Sequence, residues 1–371
     1  MAATCKLIAD ALEKMAPLSF AESWDNVGLL IGCPDIPVEK ALLTLDVTGP
    51  VVEEAVAMGA EMIITHHPFP FQAMKTIRTD TPEGAVLSSL IKNNIAVYAA
   101  HTNLDAAEGG VNDALADVLE LRGALPLRPS RRSLVKIVVY VPEGHEEKVW
   151  QAMSAAGAGR IGNYSQCGFR SRGTGTFLPG EGTRPFIGEP HRLSSVSEIR
   201  LETVAPAFLS TRVVDAILDA HPYEEVAYDV YPLQNESAIG GLGRVGELLA
   251  PASLQKLADQ TKLSLQLDRV RVVGPLSTRI SRVAVCGGSG MDLAEAALRS
   301  GAQVLITADI RYHEAQDALA KGLCLIDAGH FGTEYPVLKK IQAYLRSCSN
   351  ESGWNCLFDM AVRQSEIWQS I

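Results

Sequence analysis

The segment Glu54-Ala55-Val56-Ala57-Met58-Gly59-Ala60-Glu61-Met62-Ile63-Ile64-Thr65-His66-His67-Pro68 carries a helical stretch into a short apolar strand and stops on two histidines. A comparable run recurs as Glu295-Ala296-Ala297-Leu298-Arg299-Ser300-Gly301-Ala302-Gln303-Val304-Leu305-Ile306-Thr307, after one gap. Further on, Ile95 to His101 resembles Leu323 to His330 with one residue gained. Two copies of a strand–helix–strand unit would bring equivalent strand ends together across a pseudo-twofold axis. In that alignment His66-His67 corresponds to Ala308-Asp309, and His101 to His330.

Outward from these runs, short β-rich segments alternate with helical ones, the pattern of α/β units with parallel strands. Residues 41–47, 62–65 and 95–99 read as strands, as do 283–286, 304–307 and 323–326. The middle of the chain differs: strands at 134–141, 168–178, 196–203 and 225–231 are interleaved with helices at 144–156 and 211–220. That βαββαβ order is ferredoxin-like, with residues 180–192, rich in Gly and Pro, as an exposed loop inside it. The expected organisation is a discontinuous α/β outer domain, residues 1–127 and 239–371, interrupted by a module at 128–238. Both boundaries fall in turn-prone sequence.

Three polar clusters follow predicted strand ends. Adjacent residues of a regular strand point to opposite faces, so His66 and His67 share a site only at a strand's end. Pro68 holds His67 extended and stops the run there, where open α/β sheets bind ligands. The alternative is a pair of surface histidines in a turn. His101-Thr102-Asn103-Leu104-Asp105 comes next, and Asp105 is either a ligand or a cap for a helix starting near Gly110. In Gly329-His330-Phe331-Gly332-Thr333-Glu334 the four-residue spacing puts His330 and Glu334 on one side of a helical turn, against the alternative of a capped helix start.

Imidazoles beside carboxylates suit Zn, Mn, Fe, Co or Ni better than Ca or Mg. The five residues His66, His67, Asp105, His330 and Glu334 exceed what one tetrahedral ion needs. Two divalent ions bridged by a carboxylate account for the count, and Glu334 has the longer reach for the bridge.

Composition sets the frame. The chain has 371 residues, 47% of them hydrophobic, which makes it globular and too long for one ordinary domain. A net charge of −10 argues against nucleic acid and anionic membrane as partners. Arg269, Arg271, Arg279 and Arg282 form a local basic cluster, read as a solvated sheet edge. Seven cysteines without a C-x-x-C pair suit a reducing, cytoplasmic setting. Residues 1–18 read as an amphipathic helix, not a signal peptide. Two G-x-G-x-x-G matches, at 157–162 and 241–246, lack strand–turn–helix context and read as loops. Gly287-Gly288-Ser289-Gly290 is either an anion cradle or a tight turn. Asp25 and Asn26 read as turn-forming residues.

Trp24 to Gly32, His66-His67-Pro68, Thr102 to Asp105, Cys286 to Gly290 and Asp327 to Glu334 together resemble the NIF-three-like family over nearly the whole chain. Its bacterial members are commonly called GTP cyclohydrolase I type II homologues, and the middle module looks like the PII/CutA-like insertion of its longer members. The resemblance implies a dinuclear metal centre on the five matching ligands and a toroidal homohexamer. It also implies metal-dependent hydrolysis of a nucleotide or related small molecule. For that chemistry His101, Asp309 and His313 are the candidate catalytic residues. The alternative is a metal- or ligand-responsive regulator that uses the middle module as sensor.

Overall fold

The computed structural model describes residues 2–162 and 164–369. By internal contacts the chain divides into two units, residues 1–130 with 240–371 and residues 131–239.

In the larger unit a two-residue ribbon pairs β1 (Ala3–Thr4) with the later β3, and Thr4 caps α1 (Cys5–Met15) by accepting from the Leu7 amide. The chain continues through β2 (Gly28–Ile31), β3 (Pro37–Val38), β4 (Lys40–Thr44), α2 (Gly49–Met58), β5 (Met62–Thr65), α3 (Pro82–Lys92) and β6 (Ala96–Ala99). Two short helices follow, α4 (Thr102–Ala106) and α5 (Val111–Val118). Strands β4, β5 and β6 run parallel, with β2 antiparallel beside β6. Every residue of β5 and β6 is buried, as in a parallel sheet covered on both faces. Leu42, Val51, Ile63, Leu90 and Val97 form the core there.

The smaller unit takes in most of β7 (Arg122–Pro142), then α6 (Glu146–Ala155), β8 (Gly168–Phe177), β9 (Ser194–Pro206), α7 (Ser210–Ala220) and the start of β10 (Tyr228–Ser253). Strand β9 pairs antiparallel with β7 on one side and β8 on the other. Helices α6 and α7 lay Val149, Met153, Val213 and Ile217 over one sheet face, against Val139, Ile199 and Leu201.

Back in the larger unit come α8 (Leu254–Ser264), β11 (Arg271–Val273), β12 (Arg279–Ser289), α9 (Ala294–Arg299), β13 (Val304–Ala308), α10 (Tyr312–Ala320) and β14 (Cys324–Asp327). Then α11 (His330–Glu334), α12 (Pro336–Ser352) and β15 (Leu357–Met360) close the chain, β15 parallel to β4. Strands β12, β13 and β14 are parallel, with β11 antiparallel beside β14 and the end of β10 antiparallel beside β12.

Register positions the site. Thr44, Thr65 and Ala99 lie level at the carboxyl ends of β4, β5 and β6, so the residues just after them emerge at one edge. Thr307 and Asp327 lie level in the same way on β13 and β14.

Three expectations need correction. The divisions between units fall inside the continuous strands β7 and β10, not in turns. The expected strand at 225–231 starts only at Tyr228 and runs to Ser253. The G-x-G-x-x-G at 241–246 is therefore strand, because Gly240, Gly241 and Gly243 adopt positive φ and let the strand bend without ending. Within the basic cluster, Arg271 on the edge strand β11 pairs with Asp327 and Arg282 with Glu247, so much of its charge is matched.

Candidate metal centre

The backbone ladder extends beyond β5: the His66 amide donates to the Thr44 carbonyl and the His67 amide to the Leu45 carbonyl. Held in this way at the strand's end, both rings turn to the same side, their centroids 4.9 Å apart. After β6, His101 precedes α4, and one helical turn later Asp105 brings Oδ1 to 3.7 Å from His66 Nε2. After β14, Gly329 (φ 75°) redirects the chain and His330 opens α11, with Glu334 four residues on. His330 Nε2 stands 3.0 Å from Glu334 Oε1 and 3.3 Å from His67 Nε2. Glu334 is buried and reaches all three rings, with oxygens 3.6 Å from His66 Nε2 and 3.2 Å from His67 Nε2.

Each of the four histidines has its Nδ1 on an oxygen. His66 uses the Ala100 carbonyl at 2.8 Å, His67 uses Asp46 at 2.9 Å, His101 uses Asp25 at 2.9 Å and His330 uses Asp309 at 2.7 Å. A proton on Nδ1 leaves the Nε2 lone pair facing inward, which is how metal-binding histidines are oriented.

Hydrogen bonding within the protein does not satisfy this arrangement. His66 Nε2, Asp105 Oδ1 and Glu334 Oε2 are buried without a hydrogen-bond partner among the described residues. Buried polar atoms left this way are costly, and three converge here. Two nitrogen ligands about 2.0–2.1 Å from a tetrahedral ion stand roughly 3.3–3.4 Å apart, close to the 3.3 Å between His67 and His330 Nε2. Two triads have ligand atoms mutually within 4.8 Å, namely His66, His67 and His101, and His67, His330 and Glu334. The residues fit a metal ion.

The electrostatics agree. Burial opposes charge on His67, yet Asp46 and Glu334 hold it up at about 10. Glu334 raises His330 to about 9. Burial pushes Asp105 up to about 6 against the pull of His66. Glu334, although burial opposes its charge, is held well below the usual carboxylate range by His66 and His330. Without metal, protons thus take the place of cationic charge around Glu334.

The five residues read from sequence as ligands come together here. Among the candidate catalytic residues, His101 lies with its ring centroid 5.2 Å from that of His66 and joins one ligand triad. Asp309, at φ 54°, holds His330 instead of standing free as a base. His313 is exposed on α10, bonded to Gln316 of its own helix and outside both triads. Asp105 does not cap α5, whose first turn carries no side-chain cap.

Sequence reasoning missed three contributors. Asp46 follows β4 level with His67, and that register was the signal for it. Asp25, read as a turn former, also holds His101 and Thr102, and those contacts keep it at about 2 although burial opposes its charge. Gly288, expected in a cradle or tight turn, lies instead within the irregular end of β12 and adopts φ 60°, where a Cβ would strike Glu334 Oε1. Its amide donates to Thr333 Oγ1. The end of β12 thus makes room for the Glu334 carboxylate.

Comparisons with known proteins cover the same span. The family profile described as Duf34/NIF3 (NGG1p interacting factor 3) matches residues 3–364. The chain is 46% identical over 324 residues to a GTP cyclohydrolase 1 type 2 homolog of Halalkalibacterium halodurans, covering 87% of each protein. It is 45% identical over 325 residues to the protein of that name from Bacillus subtilis, again covering 87% of each. Among solved structures, a Bacillus cereus protein related to NIF3 aligns over 100% of both chains with a TM-score of 0.90 and 41% identity.

Proposed function

The chain belongs to the Duf34/NIF3 family, and from that membership and the geometry of the centre we propose that it is a dinuclear metal-dependent hydrolase acting on a nucleotide or related small molecule. The observation that carries this reading is the convergence of two buried, unbonded carboxylate oxygens on four histidines that each present Nε2 inward, that of His66 also buried and unbonded. The two triads overlap at His67, whose one free Nε2 lone pair serves a single ion, and Glu334 is the group placed to serve both members of a pair. Divalent ions so held supply Lewis acidity and make water a nucleophile near neutral pH.

The chain's own residues do the rest. Asp25 holds His101 by Nδ1 and so keeps its Nε2 lone pair available to the centre. Asp46 and Asp309 keep His67 and His330 in the ligating tautomer. Trp24 and Phe71, both exposed, stand with ring centroids 6.0 Å from His101 and offer a platform to a heterocycle. The names of the relatives supply the nucleotide class.

Four further parts of the reading are proposals of the same kind. The order β4–β5–β6–β2 recurs as β12–β13–β14–β11 with the same strand directions, which supports pseudo-twofold halves. Residues 131–239 have βαββαβ order and adjacent strands β10–β7–β9–β8, which supports an inserted ferredoxin-like, PII/CutA-like module. Assembly into a toroidal homohexamer rests on the family alone. A cytoplasmic setting is supported by seven free cysteines. Among the described residues, no helix is long and apolar enough to cross a membrane.

Metal-reconstituted protein assayed against a panel of nucleotides tests the hydrolase. Turnover is expected in the wild type and absent in Glu334→Ala; equal rates in the two would refute it. A ligand-responsive regulator is the second reading, favoured by a cavity in the smaller unit.

A further inference from the structure

That cavity, about 550 Å³, lies wholly within residues 131–239. It sits on the sheet face turned away from α6 and α7. Leu201 and Val139 pair across β9 and β7 and face the helices, so their neighbours Arg200, Tyr140 and Glu198 point to the other side. Its floor is β8, where Gly173 lies opposite Glu198. A Cβ at Gly175 would collide with Glu198 Oε2, so glycine there leaves room for a carboxylate laid across the strand.

Glu198 is only 8% exposed, although among the described residues no cation pairs with it. Tyr223 donates its hydroxyl to Oε1 at 3.1 Å, and Oε2 receives no donor from the described residues. The aromatic wall is Phe177, Phe186 and Tyr223, with the two phenylalanine centroids 6.1 and 6.2 Å from the tyrosine ring. The arginines at the cavity are already matched, Arg172 by Glu143 and Arg200 by Glu202. Glu224 and Glu225 add acidic charge to the lining. Such a lining disfavours an anion and favours a flat donor.

We propose that this cavity is a second ligand site, taking a flat heteroaromatic ring with two adjacent N–H donors. That amidine-like edge is shared by guanine and 2-aminopyrimidinones. The donors meet the Glu198 carboxylate, whose two oxygens together accept about four hydrogen bonds. The ring lies among Phe177, Phe186 and Tyr223, and the volume suits a base with its ribose. The site uses none of the metal-centre residues.

Calorimetric titration of the full chain with guanosine, inosine, adenosine and guanosine monophosphate tests it. Guanosine is expected to bind once per chain. Inosine, which lacks the 2-amino donor, should bind roughly tenfold or more weakly, as should adenosine. In Glu334→Ala, where the metal centre is disabled, the phosphate should bring no gain. Glu198→Gln should lose about tenfold or more for guanosine, Phe186→Ala a smaller factor, and Tyr223→Phe should retain binding. Glu334→Ala should bind guanosine as the wild type does, which separates this site from the metal centre. Equal binding of inosine and guanosine, unchanged affinity in Glu198→Gln, absence of guanosine binding, or its loss in Glu334→Ala would each overturn the proposal. Should Glu198→Gln fail to fold, the inosine comparison and Phe186→Ala decide.

Discussion

The two halves of the larger unit reach the candidate metal centre with the same device and unequal burial. From residues 1–130 come His66, fully buried and held by a backbone carbonyl, and His67 and His101, held by Asp46 and Asp25. From residues 240–371 comes His330, held by Asp309 with its side chain 39% exposed, together with the buried Glu334. His101 and Asp105 have the same four-residue spacing as His330 and Glu334, and each pair follows the third parallel strand of its half. The first half therefore builds the closed side of the centre. The second contributes the buried carboxylate that reaches three of the rings, and the most exposed of the four histidines.

The largest way to break this comparison is to remove the group both sides depend on. Glu334→Ala should lower affinity for Zn or Mn at least about 100-fold, since it deletes a shared ligand and not merely a supporting contact. Metal analysis after dialysis, with circular dichroism to check the fold, reads this directly. Retained metal at wild-type stoichiometry would mean Glu334 is not the shared ligand.

The supporting carboxylates sharpen the comparison. Asp46→Asn acts on the first half and Asp309→Asn on the second. Each should cost about 10–100-fold in affinity, because the imidazole loses its anionic acceptor and its fixed tautomer. Competition with a chromogenic chelator measures both. An effect confined to one half would contradict a common device.

Acidity comes next. In the metal-free protein His67 titrates at about 10 and His330 at about 9, so an ion must displace their protons. Affinity should rise with pH, by about tenfold per unit for each displaced proton, and the rise should continue to about 9–10. Proton release in calorimetry with buffers of different ionisation enthalpy tests it. The sign for stability follows. Both values lie above the ordinary histidine value, so their contribution to the metal-free fold is complete below about 6.5 and lost as pH rises through 9 and 10. Melting of the metal-free protein should therefore fall across that window more than melting of the loaded protein.

The smallest effect is expected from Gly288→Ala. It places a Cβ against Glu334 Oε1 at a positive φ, and should cost roughly 1 kcal/mol in stability with a several-fold loss of metal affinity. Thermal melting with and without metal separates the two contributions.

Much of this was legible because ligands follow strand ends, and strand ends show as an apolar run stopping on polar residues. His66-His67, Asp105 and His330 with Glu334 stand in such places, and the parallel strands before them were legible by their unbroken apolar character. The orienting carboxylates were not. Asp46 lies twenty-one residues before His67 and is related to it only by the register of β4 on β5. Asp25 reaches His101 across seventy-six residues, from a loop whose packing no local pattern encodes. The length of β10 was hidden because its glycines look like a turn, whereas they let a single strand bend. His313 illustrates the opposite error, since proximity in sequence to Asp309 did not bring it to the centre.

The central claim is that two ions share this cluster. Anomalous diffraction from crystals of metal-loaded protein, collected at the absorption edge of the metal, measures it most directly. The account predicts two peaks about 3.5–4 Å apart, one beside His66 and His101, the other beside His330 and Glu334, with His67 between. A single peak, or none at these residues, would contradict it.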